Sequence, residues 1–167
     1  MDYRSLIREV PDFPIPGVLF RDVSPLLQNA EAFSQMAMDF EKIIDVKNVD
    51  VFVGIESRGF IFAALMAAKF NKGFLPLRKA GKLPQPVIAE SYDLEYGKAT
   101  LEIAPAPKKH TVVICDDVLA TGGTLKASIS LCEKAGYEVM DLMVLINLTF
   151  LNKMNFNGHP VKSLIQY

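Results

Sequence analysis

Val112-Val113-Ile114-Cys115-Asp116-Asp117-Val118-Leu119-Ala120-Thr121-Gly122-Gly123-Thr124 joins four apolar residues to two adjacent carboxylates and then to a glycine-rich turn. The apolar run has the composition of a strand buried on both faces of a parallel sheet, and residues 125–136 continue with helical character. In such a unit the loop after the strand and the N-terminus of the next helix present free backbone N–H groups and the positive end of the helix dipole, which favour a phosphate. Gly122 and Gly123 allow close backbone approach, and Thr121 and Thr124 add hydroxyl donors.

The carboxylates narrow the ligand. Asp116 and Asp117 would repel a bare phosphate, but they suit a ribose whose 2′- and 3′-hydroxyls donate hydrogen bonds, with a cation nearby to balance charge. A ribose 5-phosphate satisfies both halves of the stretch. Hydrophobic residues, two acids and Thr-Gly-Gly-Thr resemble the phosphoribosyl pyrophosphate signature of the type I phosphoribosyltransferases. In that family Asp116 and Asp117 correspond to the ribose ligands and Ala120, Thr121, Gly122, Gly123 and Thr124 to the 5′-phosphate loop.

Composition is consistent with this. A chain of 167 residues is expected to form one domain over 1–167, and with half of its residues hydrophobic it can bury a substantial core. A formal net charge of −1 argues against a protein that coats nucleic acid or an anionic membrane. There is no apolar run long enough to span a bilayer and no signal-peptide core near Met1, so a soluble, cytoplasmic protein is expected. Cys115 in the strand and Cys132 on the helix read as buried thiols rather than a disulfide or metal pair, and His110 and His159 are isolated residues with structural roles.

Along the chain, residues 2–10 read as a short helix with Leu6, Ile7 and Val10 on one face, closed by Pro11. Two prolines and a glycine in Phe13-Pro14-Ile15-Pro16-Gly17-Val18-Leu19-Phe20-Arg21-Asp22 argue against regular structure there, while Phe20 offers an aromatic face to a flat heterocycle. This segment resembles the base-binding FPxPGVxFRD segment of the adenine phosphoribosyltransferases within the same family. The resemblance implies that Phe20 stacks on adenine with Leu19 and Arg21 beside it, and that Val118 and Leu148 are apolar walls of the purine pocket. Residues 32–44 carry the spacing of an amphipathic helix through Phe33, Met36, Phe40, Ile43 and Ile44.

A buried strand is expected over 50–55, then Gly54-Ile55-Glu56-Ser57-Arg58-Gly59-Phe60 and an apolar helix to Phe70. Gly54 and Gly59 have Walker A spacing, but Phe60 and Ile61 stand where Lys and Ser/Thr are required, which disfavours a nucleoside triphosphatase. Ser57 and Arg58 at a helix start still suit a diphosphate. A short strand over 74–77 precedes Arg78-Lys79-Ala80-Gly81-Lys82-Leu83-Pro84, whose three cations are candidates for charge neutralisation. It resembles the family's RKxGKLP segment, which implies pyrophosphate contacts for Arg78, Lys79 and Lys82, as for Arg58, and a homodimer interface.

Residues 90–103 alternate as a hairpin about Gly97-Lys98, a polar connection of the kind that serves as a lid. Ser91 to Lys98 resembles the family's SYxLEYGK catalytic loop, which implies that Glu95 is the proton carrier at the purine. Ala104 to Pro107 is a stiff linker, residues 139–148 are a further buried strand, 155–160 is turn-rich, and 161–165 is a last strand; Asn147 departs from the resembled family, many of whose members carry glutamate there. The strand and helix alternation gives an α/β fold with a mostly parallel twisted sheet flanked by helices, with the N-terminal segment and tail as a small hood. The resemblance implies adenine and phosphoribosyl pyrophosphate as substrates, AMP and pyrophosphate as products, and Mg²⁺ held mainly by substrate and water. A phosphoribosyltransferase for xanthine or hypoxanthine is the alternative within the family. A phosphoribosyl pyrophosphate-sensing regulator is the alternative outside it, and would be expected to carry an added DNA-binding segment or basic face.

Overall fold

The structure, a computed structural model, describes residues 1–93 and 97–167, with Asp93 described by its backbone alone. The chain forms two compact units, Met1–Lys42 and Ile43–Tyr167.

In the N-terminal unit the helix expected over 2–10 is a single 3-10 turn at Arg4–Leu6, followed by strand β1 (Arg8–Val10). β1 pairs antiparallel with β2 (Phe20–Asp22), so the stretch expected to be irregular also ends in a strand. The cause is not local: opposed residues carry opposite charges, with Arg8 Nη2 2.5 Å from Asp22 Oδ2 and Arg21 Nη1 2.8 Å from Glu9 Oε1. Between the strands the Gly17 N–H donates to Asp12 Oδ1 at 2.7 Å, and the ring of Phe13 meets that of Phe20 edge-on at 5.1 Å. Helix α1 (Ser24–Gln28) was not expected; it has Pro25 in its first turn, where a missing N–H costs nothing. Helix α2 (Ala30–Glu41) starts two residues earlier than its apolar spacing indicates, because the Asn29 side chain caps it by accepting from the Ala32 N–H at 3.0 Å.

The larger unit is built on a seven-stranded sheet. Its strands are β3 (Val51–Ile55), β4 (Gly73–Lys79), β5 (Ile88–Asp93), β6 (Lys98–Ile103), β7 (Thr111–Leu119), β8 (Glu138–Asn147) and, beyond a two-stranded ribbon of β9 (Asn155–Phe156) and β10 (His159–Pro160), β11 (Lys162–Gln166). The order β11-β8-β7-β3-β4-β6-β5 is parallel from β11 to β4 and antiparallel over β4, β6 and β5. The last strand expected over 161–165 is thus the sheet's edge strand β11, and the turn-rich 155–160 forms the β9–β10 ribbon before it. Alternate residues of β3 and β7, Val53, Ile55, Val112 and Ile114, form one core with Leu125, Leu131 and Cys132 of helix α4 (Gly123–Lys134). Helix α3 (Gly59–Phe70) packs against β3 and β7, burying Phe62, Ala63, Met66 and Ala67. Both cysteines are buried and free. Among the described residues no helix is long and apolar enough to cross a membrane.

This topology brings the ends of β3 and β7, neighbours in the sheet, to the same edge. The turn after β3 and the turn after β7 lie there side by side. Their spacing depends on Gly59: a Cβ at that position would stand 2.5 Å from the Cys115 carbonyl oxygen and 3.2 Å from Asp116 Cα, so only glycine lets α3 start this close to β7.

Candidate active site

β7 runs on through the acidic pair to Leu119, so Asp116 and Asp117 are held by sheet hydrogen bonds rather than by a loose strand end. The Asp117 N–H donates to Asp116 Oδ1 at 2.9 Å. Burial raises the affinity of Asp116 for its proton well above the usual carboxylate range, and the charge of Asp117 adds to this. Burial also raises Asp117, against the opposing pull of Arg58, whose Nε lies 2.7 Å from Asp117 Oδ2. Asp117 Oδ2 is buried and lacks a well-directed hydrogen bond despite that ion pair. Asp117 is buried and Asp116 half-buried, so the site sets two adjacent carboxylates side by side, one of them paired with a cation.

The pair lines a cavity of about 700 Å³, a size suited to a nucleotide-sized ligand, together with Ser57, Arg58 and Lys79 on one side and Tyr92, Lys98 and Thr100 of the β5–β6 arm on another. Against it lies a smaller hollow of about 70 Å³ lined by Ala120, Thr121, Gly122, Gly123 and Thr124, where α4 begins. Gly122 has φ of 91°, the left-handed region that a side chain would strain, and this turn brings the chain into the first turn of α4. The Thr-Gly-Gly-Thr turn and the acidic pair thus line adjoining hollows. Thr124 Oγ1 also lies 3.5 Å from the Tyr92 hydroxyl.

The cations separate into two sets. Arg58 and Lys79 line the cavity. Arg78 and Lys82 instead hold the Glu56 carboxylate: Arg78 Nε is 3.1 Å from Oε2, Lys82 Nζ donates to Oε1, and the Lys79 N–H donates to Oε2 at 2.9 Å. Burial would raise the pKa of Glu56, but these donors outweigh it and bring the group down to about 2. Glu56 escaped the sequence reading, although a carboxylate inside a loop expected to hold a diphosphate had to be matched by cations, and Arg78-Lys79-Ala80-Gly81-Lys82 was the run available to match it. Tyr92 escaped as well, having no signal beyond its place in a hairpin.

Val118 lines the cavity; Leu148 is buried at the end of β8 and does not line it. Leu19, Phe20 and Arg21 belong to the N-terminal unit, where Leu19 is exposed and the Arg21 guanidinium is paired with Glu9. Glu95 lies outside the described residues. Asn147 is buried and accepts a hydrogen bond from Asn152 at 3.1 Å.

A sheet-borne acidic pair beside a glycine-rich turn that opens a helix agrees with comparison to known proteins. Residues 23–155 match the phosphoribosyl transferase domain model, and the chain belongs to the phosphoribosyltransferase family. Within the family, its relatives are adenine phosphoribosyltransferases. That of Bdellovibrio bacteriovorus is 62% identical over all of both chains. Among solved structures, the adenine phosphoribosyltransferase of Thermoanaerobacter pseudethanolicus superposes with a TM-score of 0.88 at 38% identity, over 99% of this chain and 98% of that one. The enzyme of Saccharomyces cerevisiae, complexed with an imino-altritol bisphosphate and adenine, superposes with a TM-score of 0.86 at 31% identity over 98% and 96%.

Proposed function

We infer that this chain is an adenine phosphoribosyltransferase, which joins adenine to phosphoribosyl pyrophosphate to give AMP and pyrophosphate and so salvages the free base. The observation that carries the reading is the acidic pair of β7 set between a phosphate loop and the cations Arg58 and Lys79 around one cavity. Adenine N9 displaces pyrophosphate at the anomeric carbon through an oxocarbenium-like state, so the protein must align three groups rather than supply a covalent partner. Asp116 and Asp117 accept hydrogen bonds from the ribose hydroxyls and hold the sugar. The N–H groups of the loop from Ala120 to Thr124 hold the 5′-phosphate. Arg58 and Lys79 stabilise the charge that grows on the leaving group. Arg78 and Lys82 join them as the pyrophosphate competes with Glu56 for their protons. Leu19, Phe20, Arg21 and Leu148 are the residues that the resemblance gives to the base, and Val118 is an apolar wall of the cavity.

Mg²⁺ is the expected cofactor. Among the described residues no cluster of three metal-ligating side chains exists, while the cavity wall offers the oxygens of Asp116 and Asp117. This donor set suits a hard cation that keeps several waters and takes its other oxygens from the substrate. When bound, the ion neutralises charge on the diphosphate.

Base choice tests the function. Adenine should be used with kcat/KM at least about a hundredfold above hypoxanthine and guanine, because a site built to hydrogen-bond one purine edge leaves buried groups unpaired with another. Comparable values for guanine or hypoxanthine would assign the chain to a different purine, and no turnover with any base alongside tight phosphoribosyl pyrophosphate binding would favour a regulator.

A homodimer is also proposed. Lys69 is the one charged residue of α3, and Ala64 and Ala68 on its outer side are exposed. A helix apolar all round is normally covered. Phe74 nearby is 41% exposed, and Arg78 lies 5.8 Å from the ring centre of its neighbour Phe60. Sedimentation equilibrium at micromolar concentration is expected to give twice the 18.5 kDa chain mass; a purely monomeric species would refute the dimer. Two buried free thiols are in keeping with a reducing cytoplasm as the place of action.

A further inference from the structure

Asn152 follows β8 on an exposed loop, and its side chain reaches three parts of the molecule at once. Its Nδ2 lies 2.8 Å from the Ala120 carbonyl oxygen, 3.0 Å from the Leu148 carbonyl oxygen and 3.1 Å from Asn147 Oδ1. Two N–H groups facing three acceptors share one between them. The side chain is itself fixed from the other end, since its Oδ1 accepts from the Met154 N–H at 3.1 Å. The Met154 side chain then closes on the same loop: its sulfur lies 3.1 Å from where a Cβ on Gly122 would stand. One further bond ties the two ends together, from the Leu148 N–H to the Leu119 carbonyl at 2.9 Å.

Ala120 is the first residue of the phosphate loop. A trans peptide is planar, with its carbonyl and the following N–H antiparallel. Pinning the Ala120 carbonyl to Asn152 therefore turns the Thr121 N–H to the opposite side of the loop, away from the 152–154 segment. Left without Asn152, this carbonyl could rotate, and the loop's donors would have to be reoriented at the cost of binding energy.

We propose that Asn152 is a positioning residue that orients the 5′-phosphate loop through the Ala120 carbonyl and links it to the end of β8. It touches no substrate; it acts through the loop. This inference rests on the function proposed above and assigns to that site a residue outside the cavity wall.

The test compares dissociation constants for AMP and adenosine, which differ only in the phosphate, in the wild type and in Asn152→Ala. The variant is expected to lose about tenfold in AMP affinity, the size of one or two lost hydrogen bonds, with adenosine affinity unchanged. The KM for phosphoribosyl pyrophosphate should rise by a similar factor while the KM for adenine stays level. Asn152→Asp, of nearly the same volume but without a donor, should repeat the loss, which separates the hydrogen bond from packing. A wild type that binds AMP no better than adenosine would overturn the functional reading itself. A wild type that prefers AMP, with variants that keep that preference or lose both ligands equally, would overturn the role of Asn152. Failure of both variants to fold would make Asn152 a residue of the fold and overturn it too.

Discussion

The double variant Asp116→Asn, Asp117→Asn should fold, and should lose roughly 10²–10⁴-fold in kcat/KM for phosphoribosyl pyrophosphate, on the basis of two charge-assisted hydrogen bonds worth about 1.5–3 kcal/mol each. The substitution removes charge and changes shape little. Asparagine at 116 keeps the oxygen that accepts from the Asp117 N–H. What it discards is the cost of a buried charge, and that cost has a sign that can be checked. Asp116 binds its proton more tightly in the fold than in the unfolded chain because burial disfavours the anion. Its contribution is therefore fully present below the unfolded carboxylate pKa and is lost as pH rises through the raised folded value. At neutral pH the wild type carries this deficit and Asp116→Asn does not. The single variant should melt above the wild type at pH 7, by about 2–4 °C for each kcal/mol relieved, and the gap should close on acidification. Wild-type-like turnover in the double variant would remove the pair from the mechanism; a lower melting point at pH 7 than at pH 4 relative to wild type would contradict the assigned cost of burial.

Replacing Glu95 by glutamine is expected to lower the rate of the chemical step by roughly 10²–10⁴-fold, the usual contribution of a positioned proton carrier. The motivation is the SYxLEYGK resemblance together with two flanking observations. Tyr92 and Lys98, described residues on either side of it in sequence, both line the cavity that holds Asp116 and Asp117. The arm that carries Tyr92 is also tied to α4, where Ser130 donates to Glu90 at 3.2 Å and Lys134 pairs with the same carboxylate. A proton exchanged with the purine only in the transition state should leave the KM for adenine much less affected than kcat. Product release can limit the steady-state rate and hide part of the loss, so AMP formation in a single turnover is the measurement. An unchanged single-turnover rate would reduce Glu95 to a surface carboxylate.

The parts of the molecule legible from sequence were those whose cause is local. β3, β7 and β8 are continuous apolar runs bounded by turns, and α3 and α4 follow them with helical composition. The acidic pair and Thr-Gly-Gly-Thr were legible because their chemistry is written in consecutive residues. β1 was not, since Arg8-Glu9-Val10 becomes a strand only by meeting Phe20-Arg21-Asp22 across a turn. β4 extends to Lys79, past the expected Leu77, because Arg78 and Lys79 pair with Glu102 and Leu101 of β6, a partner some two dozen residues away. β11 was expected as a strand, but nothing in Lys162 to Gln166 says that its neighbour is β8. The same limit governs the site. Glu56 and Asn152 act through residues distant in sequence, and neither has a motif of its own.

The Glu56 cluster has a consequence for competing ions. A pocket whose arginine and lysines were all uncompensated would attract any small anion in the cell, and its grip would weaken steeply as ionic strength rose. Here Arg78 and Lys82 already hold a tethered carboxylate, so an incoming anion must displace an intramolecular one rather than fill a deficit. Inorganic phosphate or chloride, with few oxygens or none to offer, gains little by that exchange. A diphosphate that spans Arg58 and Lys79 as well gains several charged contacts at once. In the proposed reaction the internal carboxylate therefore sets a threshold, favouring the ligand that makes the most simultaneous contacts before any sugar or base is recognised.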